Sequence, residues 1–202
     1  AKLLLYYRPD LPRAGAKQLN TVRKLAEDCQ REDIAFLVEP KSYAVGEREK
    51  DPAEFARLKP GLVIETARQL TALPIDVLKA EFPAEMEYEE DPGRLFPLCQ
   101  RLDEASQVPW VILSAGVDFQ VFCRQVEIAC RAGASGFLVG RSLWQEAAGI
   151  ASRIERLRFL ETVVAPRLDH LAGIANTYGT PWYSKSKNDS ALSPSAKAGE
   201  AL

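Results

Sequence analysis

The chain alternates short apolar runs with longer segments whose apolar residues recur every three or four positions. Residues 2–7, beginning at Lys2, read as a strand, and residues 14–31 have helical spacing with Leu19, Val22, Leu25, Ala26 and Cys29 on one side. Residues 34–39 predict a second strand, stopped by Pro40. Asp51 and Pro52 supply an N-cap and a first-turn proline, opening a helical stretch to about residue 73 that Pro60 is expected to break in two. The third strand covers residues 75–81 and ends at Pro83; an acidic stretch follows, then a helix near residues 94–106. Residues 110–114 form a fourth strand with its helix at 118–132, and residues 136–140 form a fifth, with a helical start at Arg141. A long helix is predicted from about residue 150 to 172. From about Tyr178 the apolar periodicity stops, so the reading divides the chain into a folded part, residues 1–175, and a disordered tail, 176–202.

Five strand-then-helix units in series argue for an α/β fold with a parallel sheet. A doubly wound open sheet and part of a (β/α)8 TIM barrel both fit. No GxGxxG loop follows any strand, which weakens the nucleotide-binding alternative. Polar residues instead sit at the C-terminal ends of successive strands: Glu39, then Lys79 and Glu81, then Ser114, then Gly140 and Arg141. Barrels place their catalytic groups there, so the barrel is favoured. A closed barrel takes eight strands in ~250 residues. Either three units lie outside this sequence, before Ala1, or the fold closes in another way.

Composition narrows the function. With 202 residues and 47% apolar content the chain can fill a sizeable core. Its 26 basic and 28 acidic residues leave a net charge of −2, which provides no electrostatic footprint for nucleic acid or an anionic membrane. No apolar stretch approaches the ~20 residues of a membrane span, and no secretory signal pattern opens the chain, so a cytoplasmic setting is expected. Cys29, Cys99, Cys123 and Cys130 show no CxxC spacing and are expected to be reduced. His170 is the only histidine, whereas catalytic zinc usually takes two or three, so chemistry without metal or cofactor is expected. Trp110 and Trp144 read as core. Glu85, Glu87, Glu89, Glu90 and Asp91 read as a solvated loop.

Alternation along the third strand turns Ile75, Val77, Lys79 and Glu81 one way and Asp76, Leu78 and Ala80 the other. A lysine among apolar neighbours pays a desolvation cost that favours the neutral, nucleophilic amine, as Schiff-base formation requires. The alternative is an ammonium paired with Glu81 or Asp76. Glu39 ends an apolar run and could carry protons, or could simply be a strand-end charge in water. Lys2 would align with Lys79 across a barrel and favour its neutral form by like-charge repulsion, or could be a solvated chain-end lysine. Ser114-Ala115-Gly116 and Gly140-Arg141 follow the last two strands, where barrels often bind phosphate. Their glycines would let backbone amides approach an anion, and Arg141 would add a charged fork.

These residues carry a likeness. Residues 2–7, Val38-Glu39, the run from Ile75 to Lys79, the run from Leu113 to Val117, and Gly140-Arg141 resemble the tagatose 1,6-bisphosphate aldolase family of class I aldolases. The likeness runs from Lys2 to about Trp144. The stretches 109–118 and 133–141 are also similar to the related sulfofructose-phosphate aldolases. The resemblance implies a TIM barrel of which these five strands are the fourth to eighth. It places the Schiff-base lysine on Lys79, the proton carrier on Glu39 and an assisting lysine on Lys2. It puts substrate phosphate on Ser114, Ala115, Gly116, Gly140 and Arg141. The family's first three strands, with an acidic residue on the first, have no counterpart in the sequence.

The expected reaction is therefore reversible cleavage of a ketohexose 1,6-bisphosphate into dihydroxyacetone phosphate and glyceraldehyde 3-phosphate. A sulfonated sugar phosphate with the same mechanism is the enzymatic alternative. A non-catalytic half-barrel is the alternative of another class; it predicts no covalent adduct and an exposed apolar edge. The partner expected is a small-molecule sugar phosphate, with no nucleic acid and no membrane, and self-association into a homo-oligomer is compatible with the sequence.

Overall fold

The computed structural model describes residues 1–185. Its elements in chain order are β1 (Lys2–Tyr6), α1 (Pro12–Arg31), β2 (Leu37–Lys41), α2 (Pro52–Thr71), β3 (Val77–Ala80), α3 (Pro92–Ala105), β4 (Trp110–Leu113), α4 (Phe119–Arg131), β5 (Phe137–Leu138), α5 (Arg141–Trp144), α6 (Arg153–Phe159) and α7 (Ala165–Tyr178). The strands form one sheet in the order β1-β2-β3-β4-β5, every pair parallel. A doubly wound sheet reverses its order at a switch point. This sheet never does, so right-handed crossovers leave all the covering helices on one face. The result is part of the wall of a (β/α)8 barrel.

Burial follows from that topology. On the covered face Val38, Leu78, Trp110 and Ile112 are 0–1% exposed and pack against Val22 and Ala26 of α1, Leu70 of α2, Leu95 and Leu102 of α3, and Phe122 and Val126 of α4. Each such side chain contributes roughly 1.5–3 kcal/mol by leaving water. On the other face Leu4, Tyr6 and Leu138 remain 42–61% exposed. Helix starts are fixed by carboxylates: Asp51, Asp91 and Asp118 accept from the backbone N–H groups of Ala53, Gly93 and Gln120.

Several expectations change. Pro60 does not break its helix; α2 is continuous through it. Its buried stripe, from Leu62 through Leu70, packs into the core, and that packing outweighs one missing hydrogen bond. Pro40 lies inside β2 rather than ending it. Leu37 N–H and Lys41 C=O bond towards β1, so by alternation the N–H that Pro40 lacks would face β3. The paired register with β3 has already ended at Val38 and Leu78, so nothing is lost. The fifth strand shrinks to two residues, Phe137–Leu138. Trp144 is not core: it is 43% exposed, at the end of α5.

The predicted long helix runs from Arg153 to Tyr178 with a π-helical turn at Leu160–Val164. That wider turn directly precedes Pro166, which has no N–H to offer the Thr162 carbonyl. The boundary expected at residue 175 therefore falls within α7, and the expected tail begins ordered. Thr180 N–H bonds the Ala134 carbonyl at 2.9 Å, and Trp182–Lys185 form a 3-10 turn. The rest of the expected tail, residues 186–202, lies outside the described residues. Among the described residues, no helix is long and apolar enough to cross a membrane.

Candidate active site

The register decides which side chains meet on the open face. Leu4 lies opposite Glu39, and Leu37 opposite Val77, so Lys2 on β1, Glu39 on β2 and Lys79 on β3 all point to the side free of helices. Glu39 joins them. Its Oε2 accepts from Lys2 Nζ at 2.8 Å and its Oε1 from Lys79 Nζ at 2.8 Å. The carboxylate is 7% exposed as a residue, and the Lys79 side chain only 16%. Burial pushes the Glu39 carboxyl up, but the hydrogen bonds and charges of the two lysines outweigh it and hold it below the usual carboxylate range.

The pairing weighed for Lys79 from the sequence does not form. Asp76 accepts from the Phe36 N–H at 2.7 Å, and Glu81 is occupied by Lys41 and Ser42. Nor does Lys2 meet Lys79 ammonium against ammonium: Glu39 stands between, one oxygen to each.

The two glycine loops close the same site. A cavity of about 380 Å³ is lined by Glu39 and Lys79 and, at its other end, by Ser114, Ala115, Gly116, Gly140 and Arg141. Ala115 (φ 52°) and Gly116 (φ 84°) are both left-handed, and Val117 N–H bonds the Ser114 carbonyl at 3.1 Å, the pattern of a mirror-image β-turn. Gly116 is thus required by its backbone angle, whereas a side chain at Gly140 would meet open space. The Arg141 guanidinium lies beside Gly116, 3.5–3.7 Å from where a Cβ would sit, and has no carboxylate partner among the described residues. An unpaired cation beside freed backbone amides suits a phosphate.

Sequence reasoning missed some of the lining. Tyr6, Lys41 and Trp144 border the cavity as well, with Tyr6 held edge-to-face by Tyr43. Alternation from Glu39 would have pointed Lys41 inward had Pro40 not been taken as the end of the strand. His170 lies elsewhere, against Phe119, and the described residues contain no group of three His, Cys, Asp or Glu placed to hold a metal. All four cysteines are free.

An open-faced barrel wall with a lysine–carboxylate–lysine bridge beside a glycine turn and an unpaired arginine defines the class, and comparison with known proteins supplies the family. Residues 1–146 match the family described as DeoC/LacD family aldolase, and the chain belongs to that family. It is 32% identical to tagatose 1,6-diphosphate aldolase 1 of Enterococcus faecalis over 160 residues, covering 72% of this chain and 49% of the relative. It is 30% identical to tagatose 1,6-diphosphate aldolase of Streptococcus agalactiae over 200 residues, covering 90% and 61%. The chain thus spans about half to three-fifths of these relatives. Among solved structures it is similar to an archaeal fructose-1,6-bisphosphate aldolase whose catalytic Lys is covalently bound to the carbinolamine intermediate. There the TM-score is 0.54 at 23% identity, over 88% of this chain and 57% of that one. A Plasmodium falciparum fructose-bisphosphate aldolase gives a TM-score of 0.59 at 15% identity, over 89% and 56%. At these identities the likeness is one of fold.

Proposed function

We propose that this chain carries the Schiff-base centre of a class I aldolase that cleaves a ketohexose 1,6-bisphosphate, such as tagatose 1,6-bisphosphate, to dihydroxyacetone phosphate and glyceraldehyde 3-phosphate. The observation that carries this reading is the Glu39 carboxylate 2.8 Å from Lys79 Nζ, in a cavity that ends at an unpaired arginine. The names of the two curated relatives support the choice of ketose.

In this reading Lys79 passes a proton to Glu39 and attacks the C2 carbonyl as the free amine. Protonated Glu39 returns the proton to the C2 oxygen, then carries a second proton from the carbinolamine nitrogen to the same oxygen, which leaves as water and creates the iminium. Glu39, a carboxylate again, takes the C4 hydroxyl proton while the C3–C4 electron pair moves into the iminium, giving an aldehyde and an enamine. Protonation of the enamine at C3 and hydrolysis release the ketone and restore Lys79. Lys2 holds the second oxygen of Glu39 and so fixes the direction of the first. Ser114, Ala115, Gly116, Gly140 and Arg141 hold the phosphate on the ketone side, which sets C2 beside Lys79. No step uses a metal.

The test is chemical trapping. The protein is incubated with dihydroxyacetone phosphate, reduced with borohydride and digested for peptide mass spectrometry. The expected result is one reduced adduct on Lys79. An unmodified Lys79, or an adduct confined to another lysine, overturns the reading and favours a non-catalytic half-barrel.

A further inference from the structure

A second cavity, of about 320 Å³, opens beside the first on the C-terminal rim of the sheet and shares Lys41, Leu113 and Ala115 with it. Its remaining walls come from the loop after β2, from α2, from the loop after β3 and from α4. None of its polar groups has a part in the chemistry assigned to Lys79.

Those groups are balanced in charge but not saturated in hydrogen bonds. Lys41 Nζ donates to Glu81 Oε1 at 2.6 Å, and Lys59 Nζ donates to Glu85 Oε1 at 2.6 Å. Each ammonium has three hydrogens to give, so donors remain on both. The Gln125 side chain is the sharper observation. It lines the cavity, its residue is only 4% exposed, and its carboxamide has no hydrogen-bond partner among the described residues. Among the described residues the enclosed side-chain atom without a partner is Ser142 Oγ, so the Gln125 carboxamide is not sealed off: it opens into the cavity with its donors and acceptor unused, where an entering group can pair with it.

The charge balance selects the chemistry of that group. Two carboxylates already answer two ammoniums, so an entering anion would be repelled by Glu81 and Glu85 as much as it was attracted. The contrast is with Arg141 in the neighbouring cavity, whose guanidinium is unanswered. A hydroxyl accepts from ammonium or amide hydrogens and donates to a carboxylate without adding charge. Phe55 and Phe82 supply apolar wall against which C–H groups can lie.

We propose that this compartment is a binding site for a neutral polyhydroxylated small molecule, a sugar or polyol, held by Gln125, Lys41 and Lys59 between Phe55 and Phe82. It stands on these groups alone and does not depend on Lys79 forming a Schiff base.

The experiment is an NMR titration of the isotope-labelled protein with erythritol, a neutral four-carbon polyol. The Gln125 carboxamide signals are assigned through bonds to that residue's own backbone amide, so the first measurement needs no variant. The expected result is a saturable shift of those signals that persists in Lys79→Met. Gln125→Leu should then weaken erythritol binding about tenfold, read from the Ala115 and Val117 amides, the equivalent of one lost hydrogen bond worth about 1.4 kcal/mol. An absent or merely linear shift overturns the proposal. A saturable shift with inorganic phosphate but not erythritol also overturns it, by showing an anion site. Failure to trap an adduct on Lys79 would bear on the aldolase reading and leave this result standing.

Discussion

Glu39 accepts from two ammoniums at once, so removing its charge unties both. Glu39→Gln keeps the shape and loses the proton acceptor. In the proposed mechanism the rate of adduct formation with dihydroxyacetone phosphate should fall by about 10²–10⁴. Timed borohydride quenching measures that rate, and a fall of less than tenfold would remove Glu39 from the proton path. Glu81 makes the complementary prediction for stability. Burial pushes its carboxyl up, but the charges of Lys59 and Lys41 and the hydrogen bonds from Lys41 and Ser42 prevail and hold it below its ordinary 4.5. A carboxyl depressed in the folded state contributes its full stability above the unfolded value and loses it as pH falls through the folded one. The urea midpoint should therefore drop on acidification below about pH 4.5, and Glu81→Gln should flatten that limb while costing roughly 3 kcal/mol at neutral pH. Alternation within each strand assigns Lys2, Glu39 and Lys79 to a face of its own strand, and the register of β1, β2 and β3 makes those faces one. Partner choice was not legible from alternation: that Asp76 caps the start of β2 and Glu81 takes Lys41 depends on strand register, which no single segment encodes.

The turn between β4 and α4 shows what one element asks of its residues. Gly116 at φ 84° can be left-handed freely, while Ala115 at φ 52° carries a Cβ into the same region. Gly116→Ala should cost about 1–2 kcal/mol, whereas Ala115→Gly should be close to neutral because relief of strain offsets the freer unfolded chain. Thermal unfolding of the two variants checks the asymmetry; equal losses would contradict the turn geometry. The strand and helix sequence was readable because parallel β/α units repeat one period change after another. The two misread prolines share a cause. Pro40 and Pro60 break rules that concern isolated segments: at Pro40 the neighbouring strand has no paired partner to lose, and at Pro60 core packing outweighs the lost bond. Trp144 was misread because a four-residue helix is too short to show which side is buried.

At the scale of the molecule, sequential strand order puts all the apolar packing on one side of the sheet and leaves Leu4, Tyr6 and Leu138 on the other. The chain as described should bind an apolar dye and associate with rising concentration, measured by light scattering. Shielding this face with a soluble detergent below its unfolding range should reverse both effects. The barrel class was legible from the order of elements and from polar residues at successive strand ends. What covers the open side was not, because β1 and β5 are the edge strands of the sheet among the described residues.

The two ends of the sheet also differ in what they bear. Lys185 donates to the Asp103 carbonyl at 2.8 Å and to its carboxylate, and Asp103 in turn accepts from the Trp110 indole at 2.8 Å, where β4 begins. The last described turn is thereby riveted to the floor from which the strands rise, while both cavities open at their far ends. A tether attached at Lys185 itself would hold the molecule by its base. On a bead or sensor surface it would stand with both cavities turned to the solution.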